Sequence, residues 1–115
     1  MSVKIYHNPN CSKCRLTMEL LDEANISPDV VEYLASPPHR DELVEILAML
    51  SMTPRELMRT HEPEYTDNGL DDESLNTDDL IDAMIRFPIL IERPIVVSNG
   101  KAVIGRPPVN VKTII

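Results

Sequence analysis

Apolar residues recur along the chain with two periods, one typical of strands and the other of helices. Short apolar runs predict strands at residues 3–6 and 29–34, and apolar positions at helical spacing predict a helix at residues 11–25 between them. A strand, a helix and a strand of these lengths predict a right-handed βαβ unit with parallel strands. The predicted buried stripe of this helix consists of Leu16, Leu20, Leu21 and Ala24.

The middle of the chain is predicted to be helical. Apolar residues at helical spacing predict helices at residues 38–50 and 77–86, whereas residues 61–76 are acidic and predict a loop. The start of a further helix is marked by a capping box with proline in its first turn. Its residues are Thr53, Pro54 and Glu56. These segments form a predicted helical insertion at about residues 37–88.

The C-terminal part predicts a β-hairpin followed by a short helix. Asn99-Gly100 separates two β runs, at residues 94–98 and 101–105, and Asn-Gly between such runs favours a two-residue hairpin turn. A helix from residue 107 or 108 to about 114 follows. The order β-α-β, helical insertion, β-β-α predicts a single α/β domain over residues 1–115.

Composition and charge exclude several classes of function. The 115 residues fit one domain with a real core, and no apolar run approaches the length of a membrane span. A net charge of −8 argues against nucleic acid as a partner, because neutralising phosphates requires a basic surface. The N-terminus enters a strand pattern without a signal-peptide h-region, so a cytoplasmic protein is expected.

The two cysteines form the motif Cys11-Ser-Lys-Cys14, followed at once by Arg15. Cys11 falls where the first strand gives way to a helix, and a helix N-terminus stabilises a thiolate. Cysteines three residues apart on a first turn can approach within disulfide distance. Arg15 lies four residues after Cys11 and adds a positive charge to the same face. In a reducing compartment such a motif indicates catalysis or metal binding rather than a structural disulfide.

Other interpretations of these residues are weaker or remain open. Cys14 could simply pack inward as a small apolar residue. A zinc site built from His7, Cys11 and Cys14 would lack a fourth ligand, so no metal is expected. A phosphatase loop requires arginine six positions after the cysteine, and that position is Thr17.

Three further arginines, Arg59, Arg93 and Arg106, lie at breaks between predicted elements rather than inside acidic helices. A planar guanidinium is the side chain best matched to the oxygens of a tetrahedral oxyanion. Together with Arg15, which also lies at such a break, these arginines are therefore candidates for a functional role.

The chain resembles the glutaredoxin-linked arsenate reductase family over nearly its whole length, and most closely its short, YfgD-like members. That family has a thioredoxin/glutaredoxin-like fold with a mixed sheet. The motifs that carry the resemblance are His7-x3-Cys11-x3-Arg15, Leu57-Met58-Arg59, Glu92-Arg93-Pro94-Ile95-Val96-Val97 and Gly105-Arg106-Pro107.

The resemblance implies an oxidoreductase of arsenic detoxification. Cys11 would attack arsenate and form a covalent adduct with arsenic, which glutathione, as co-substrate, would then displace from Cys11. Glutaredoxin (or thioredoxin) would recycle the resulting mixed disulfide, and arsenite would be released. No bound cofactor is implied. The resemblance further implies that His7 and Arg15 tune the thiolate and that Pro94 is a cis-proline beside the thiol. The residues implied to bind arsenate are Arg59, Arg93 and Arg106.

Two departures from the family leave alternatives open. Well-studied members lack a cysteine where Cys14 stands, and their C-terminal tail is longer. Cys14 is therefore a candidate resolving thiol, which would form a disulfide with Cys11. A general thiol-disulfide oxidoreductase that uses both cysteines is one alternative. A redox-sensing regulator of the Spx type, which shares the fold and binds RNA polymerase, is the other.

Overall fold

The computed structural model describes residues 2–115. The chain divides into two compact units, which we describe separately. The first unit consists of residues 2–36 and Arg93–Ile115, and the second is Pro37–Glu92. The second unit covers the segment predicted as a helical insertion. No helix in the described part of the chain is long and apolar enough to cross a membrane.

A four-stranded sheet forms the centre of the first unit, with strand order β2-β1-β3-β4. Strand β1 pairs in parallel with β2 and antiparallel with β3, which in turn pairs antiparallel with β4. The predicted α/β class with a mixed sheet is therefore confirmed. The strands are β1 (Val3–Tyr6), β2 (Asp29–Val31), β3 (Ile95–Ser98) and β4 (Lys101–Ile104).

The β3–β4 hairpin is the element that local sequence predicts best. Asn99 and Gly100 both have positive φ, 55° and 72°, as a type I′ turn requires. Strand β2 is shorter than the predicted 29–34, because the chain turns after Val31 and buries the side chain of Tyr33 completely.

Helix α1 (Ser12–Glu23) follows β1, and its buried face differs from the prediction. The side chains that pack inward are Cys14, Thr17 and Leu21, at spacings of three and four residues. Leu16 is instead 44% exposed, and Ala24 is exposed too. The prediction is confirmed for Leu21, and Leu20 packs against the core, but it was wrong for Leu16 and Ala24. It counted only apolar residues and passed over Thr17, whose Oγ1 donates to Lys13 O, 2.8 Å away.

The core of the first unit lies between the sheet and two helical segments. A 3₁₀ helix, Pro108–Thr113, takes the place of the predicted terminal helix and packs on α1. Together these elements enclose a continuous apolar cluster. Its buried members are Val3, Ile5, Leu21, Val96 and Val111.

The second unit contains the predicted helices and one that was missed. They are α2 (Arg40–Leu50), α3 (Pro54–Leu57), α4 (Pro63–Asp67) and α5 (Thr77–Arg86), followed by a 3₁₀ turn at Pro88–Leu90. The capping box at the start of α3 is confirmed by reciprocal bonds between Thr53 and Glu56. Residues 61–76 were predicted as a loop, but Pro63 begins α4 there and Tyr65 is buried.

Candidate active site

Cys11 is the N-cap residue of α1, with extended backbone angles (φ −100°, ψ 123°). Its N–H donates to Asn8 O at 3.0 Å, and its carbonyl accepts the first helical hydrogen bond, from Arg15 N–H, at 3.1 Å. The residue is only 6% exposed. The thiol therefore lies at the end of the helix where free backbone N–H groups and the positive dipole end favour an anion.

Asn8 organises the loop that leads to Cys11, a role that the sequence analysis missed. Besides accepting from Cys11 N–H, it accepts from Asn10 N–H through its Oδ1 at 3.0 Å. Its own N–H donates to Cys14 Sγ at 3.5 Å. The signal that could have found it is the Asn-Pro pair, because asparagine before proline often closes a turn with its side chain.

Two of the arginines predicted to bind substrate contact the Cys11 side chain. Arg106 Nη2 is 3.6 Å from Cys11 Sγ, and Arg106 Nε donates to the carbonyl oxygen of Arg93 at 2.8 Å. The guanidinium of Arg93 also hydrogen-bonds to Cys11. The first unit thus brings together Cys11, Arg93 and Arg106, which are far apart in sequence.

These contacts set the acidity of Cys11. Burial raises the pKa of the thiol, but this effect is outweighed by hydrogen bonds from Cys14 N–H, the Arg93 guanidinium, the Cys14 thiol and Lys13 N–H. The net result lowers the pKa of Cys11 to about 7. Roughly half of the molecules then carry a thiolate at neutral pH, against a few per cent for an ordinary cysteine.

Cys14 has the opposite character. It is completely buried. Burial is the main cause that raises its pKa to about 12, and the hydrogen bond to Cys11 and the negative charge of Cys11 raise it further, against the opposing influence of Asn8 N–H and Arg93. Cys14 is therefore a thiol at neutral pH, and Cys11 is the nucleophile of the pair.

His7 and Arg15 were expected to tune the thiolate. Burial lowers the pKa of His7, with partial compensation from the charge of Glu32, which favours the neutral imidazole. Arg15 is exposed. The hydrogen bonds that lower the pKa of Cys11 come from Cys14, Arg93 and Lys13 instead. A tuning role for His7 and Arg15 stays a prediction.

Arg59 belongs to the second unit, where two carboxylates hold it. Its guanidinium donates to Glu92 Oε1 at 2.7 Å and to Glu62 Oε1 at 3.2 Å, and its side chain is only 11% exposed. Its backbone N–H donates to Leu90 O at 2.7 Å, beside a bridge between Met58 and Ile91. Arg59 thus ties the segment after α3 to the segment that ends at Glu92. Its predicted contact with substrate stays a prediction.

Gly105 fixes the segments that carry the two arginines of the first unit. A Cβ on Gly105 would lie 2.6 Å from Thr17 Oγ1 and 2.8 Å from Pro94 Cγ, so the position has room only for glycine. Gly105 N–H also donates to Pro94 O at 2.9 Å. The Arg93–Pro94 and Arg106–Pro107 peptide bonds are both cis.

Chemically, the site combines a nucleophile with donors for an anion. The Cys11 thiolate lies at a helix N-terminus beside two guanidiniums, which can bind the oxygens of an oxyanion while sulfur attacks its central atom. Because the guanidinium of Arg106 is also anchored through its Nε to Arg93 O, it is oriented before substrate arrives.

Comparisons with known proteins identify relatives of this chain. The family model described as the ArsC family matches residues 6–114. The YfgD protein of Escherichia coli K12 is 52% identical over 98% of this chain and 96% of its own length. An arsenate reductase of Neisseria meningitidis serogroup A is 43% identical over 98% of this chain and 97% of its own. The solved structure of an arsenate reductase from Vibrio cholerae superposes with a TM-score of 0.96 at 46% identity, covering 100% of this chain and 98% of that one.

Proposed function

Because the chain belongs to the ArsC family, we propose that it reduces arsenate to arsenite through a covalent bond between the Cys11 sulfur and arsenic. The observation that carries this proposal is the position of the Cys11 thiol, at a helix N-terminus and in contact with the guanidiniums of Arg93 and Arg106. Relatives at 43% and 41% identity are named arsenate reductase.

In the first step, the thiolate attacks arsenic(V) and one arsenate oxygen leaves as water after it takes up protons. Arg93 and Arg106 bind the remaining oxygens and stabilise the negative charge that builds up on them in the transition state. Arg59 would add a third guanidinium, as the family resemblance implies. The pKa of Cys11, about 7, supplies the thiolate without a separate general base.

The reduction itself requires two electrons, which come from two thiols that end as a disulfide. One of these thiols is Cys11, and the other is that of glutathione or of Cys14. Glutathione with glutaredoxin is the proposed final source of reducing equivalents. Arsenate and two thiols give arsenite, a disulfide and water, so atoms and electrons balance. A cytoplasmic location fits this chemistry, because thiols of that compartment are kept reduced.

A second candidate function is general thiol-disulfide exchange. The observation in its favour is the hydrogen bond between the Cys14 thiol and the Cys11 sulfur, a contact that arsenate binding alone does not require. Such an oxidoreductase would reduce small disulfides in a manner that depends on Cys14. It would need Arg93 only for the lowered pKa of Cys11, and not as a donor to a bound oxyanion.

The test is an assay of purified protein with arsenate, glutathione, glutaredoxin, glutathione reductase and NADPH, in which arsenite is measured directly. We expect arsenite formation by the native chain and none by Cys11→Ser. Glu19→Gln, an exposed position on α1, serves as the control and should keep full activity. Arsenite formation no faster than in the mixture without protein would refute the proposal.

A further inference from the structure

Cys14 is held in a position that suits attack on the Cys11 sulfur. It lies three residues after the N-cap of α1, is completely buried, and donates its thiol proton to Cys11. Its sulfur accepts from Asn8 N–H at 3.5 Å. The thiol therefore has a donor that can stabilise a negative charge on its sulfur, and a hydrogen bond to the nucleophile.

We propose that Cys14 is the resolving thiol of this protein, and that it becomes reactive only after Cys11 has been consumed in the arsenic adduct. The inference rests on the proposed arsenate reduction and assigns its second step. In this cycle glutathione and glutaredoxin, or thioredoxin, act last, by reducing a Cys11–Cys14 disulfide.

The order of events follows from the electrostatics around Cys14. Burial is the main obstacle to its ionisation, and the Cys11 thiolate adds to it through its negative charge and by accepting the Cys14 proton. When Cys11 forms a bond to arsenic, its sulfur loses the negative charge and becomes a poor acceptor. Asn8 N–H and the charge of Arg93 remain and still favour the Cys14 thiolate. Formation of the adduct thus removes two of the causes that raise the pKa of Cys14, the charge on the Cys11 sulfur and its acceptance of the Cys14 proton.

The step balances. The Cys14 sulfur attacks the Cys11 sulfur, a sulfur–sulfur bond forms, and the sulfur–arsenic bond breaks with its electron pair on arsenic. Arsenic(V) becomes arsenic(III), the two thiols are oxidised to a disulfide, and the Cys14 proton is passed to an oxygen of the released arsenite. No oxidant or reductant beyond arsenate and the two cysteines is required.

Accessibility favours the internal route over an external thiol. Cys14 has no exposed surface, whereas Cys11 is 6% exposed. Glutathione in solution can therefore reach Cys11 but not Cys14. Cys14 competes from within the same helical turn, at the high effective concentration of an intramolecular reaction.

The experiment is a single turnover without any external thiol. Fully reduced protein is freed of reductant under anaerobic conditions and mixed with excess arsenate, and both arsenite and the intact mass of the chain are measured. Cys14→Ser and Cys14→Ala are compared in parallel, with their thermal unfolding checked. Glu19→Gln is the control for substitution on the same helix, and protein without arsenate is the control for air oxidation.

We expect one equivalent of arsenite per native chain and a mass lower by two hydrogens, from the Cys11–Cys14 disulfide. The Cys14 variants should release at least roughly tenfold less arsenite without thiol, and should regain turnover when glutathione and glutaredoxin are added. Native protein that releases arsenite only with glutathione and carries glutathione on Cys11 would overturn this inference while leaving the proposed function intact. Absence of arsenite under both conditions would overturn both.

Discussion

Arg106 Nη2 lies 3.6 Å from Cys11 Sγ, although the two residues are 95 positions apart in the chain. This contact connects the segment after the last strand to the start of the first helix. It places the permanent positive charge of the Arg106 guanidinium beside the sulfur that we propose as nucleophile. Because Arg106 Nε is anchored to Arg93 O at 2.8 Å, both arginines depend on the same backbone geometry.

Substitution of Arg106 should impair catalysis more than folding. We expect Arg106→Ala to lower kcat/KM for arsenate by about a hundredfold or more, because a preorganised donor to the transition state is lost. Arg106→Lys keeps the charge but not the two-pronged geometry, and should recover only part of the activity. Lys101→Ala, on the exposed side of β4, removes an equal charge and should have little effect. Steady-state kinetics of the three variants provide the comparison.

The reactivity of Cys11 should depend on pH with a midpoint near its pKa. This pKa is lowered to about 7, so the rate of alkylation by iodoacetamide should rise between pH 6 and 8 and level off above that range, roughly one unit either side of the midpoint. Arg93→Ala removes one of the donors that lower the pKa, so the midpoint should move upward. A midpoint that is unchanged in Arg93→Ala would contradict the assignment of Arg93. Cys14 is buried and should not be labelled in the same time.

Gly105 should tolerate no side chain. Gly105→Ala puts a methyl group against Thr17 Oγ1 and the Pro94 ring, and we expect the free energy of unfolding to fall by about 1–3 kcal/mol. Thr17→Ala removes the closer of the two atoms, so the cost of Gly105→Ala should be smaller in that background. Gly69→Ala is the matched control, because nothing lies within 4 Å of its added methyl and only its positive φ opposes the change. Equal costs at Gly105 in the two backgrounds would argue against the contact.

The ion pairs of Arg59 should contribute more to stability than those of Arg40. Arg59 is 11% exposed between Glu62 and Glu92, whereas Arg40 is 39% exposed and its partners, Asp78 and Asp82, are more exposed still. We expect Arg59→Ala to lower the free energy of unfolding by about 1–3 kcal/mol, because two partly buried carboxylates lose the guanidinium that donates to them. Arg40→Ala should cost less than about 1 kcal/mol. Urea denaturation measures both, and a larger loss for Arg40 would contradict the assignment.

How far the sequence predicted this structure depends on the range of the interactions involved. The hairpin at Asn99-Gly100 and the capping box at Thr53 are local, and both were predicted correctly because a few neighbouring residues determine them. The buried face of α1 was predicted only in part, because burial of Thr17 depends on its packing beside Gly105, a contact that no periodicity reveals. Helix α4 was missed because its acidic composition obscured the start signal at Pro63.

In the candidate site, too, the sequence predicted what neighbouring residues determine and not what long-range contacts determine. The pattern of strand, turn and helix predicted a reactive thiol at Cys11, and the structure provides the helix end. The contacts of Arg93 and Arg106 with Cys11 join segments that only the fold brings together, so the sequence could suggest them only through the family resemblance. Asn8 was not identified because two of its three hydrogen bonds use backbone atoms.

Arsenite formation by three forms of the chain, measured side by side with glutathione and glutaredoxin present, bears most directly on the role of Cys11. The native chain and Cys14→Ser should both form arsenite, because glutathione can replace Cys14, and Cys11→Ser should form none. Arsenite produced by Cys11→Ser at the native rate would contradict the proposal that arsenic is reduced through a bond to the Cys11 sulfur.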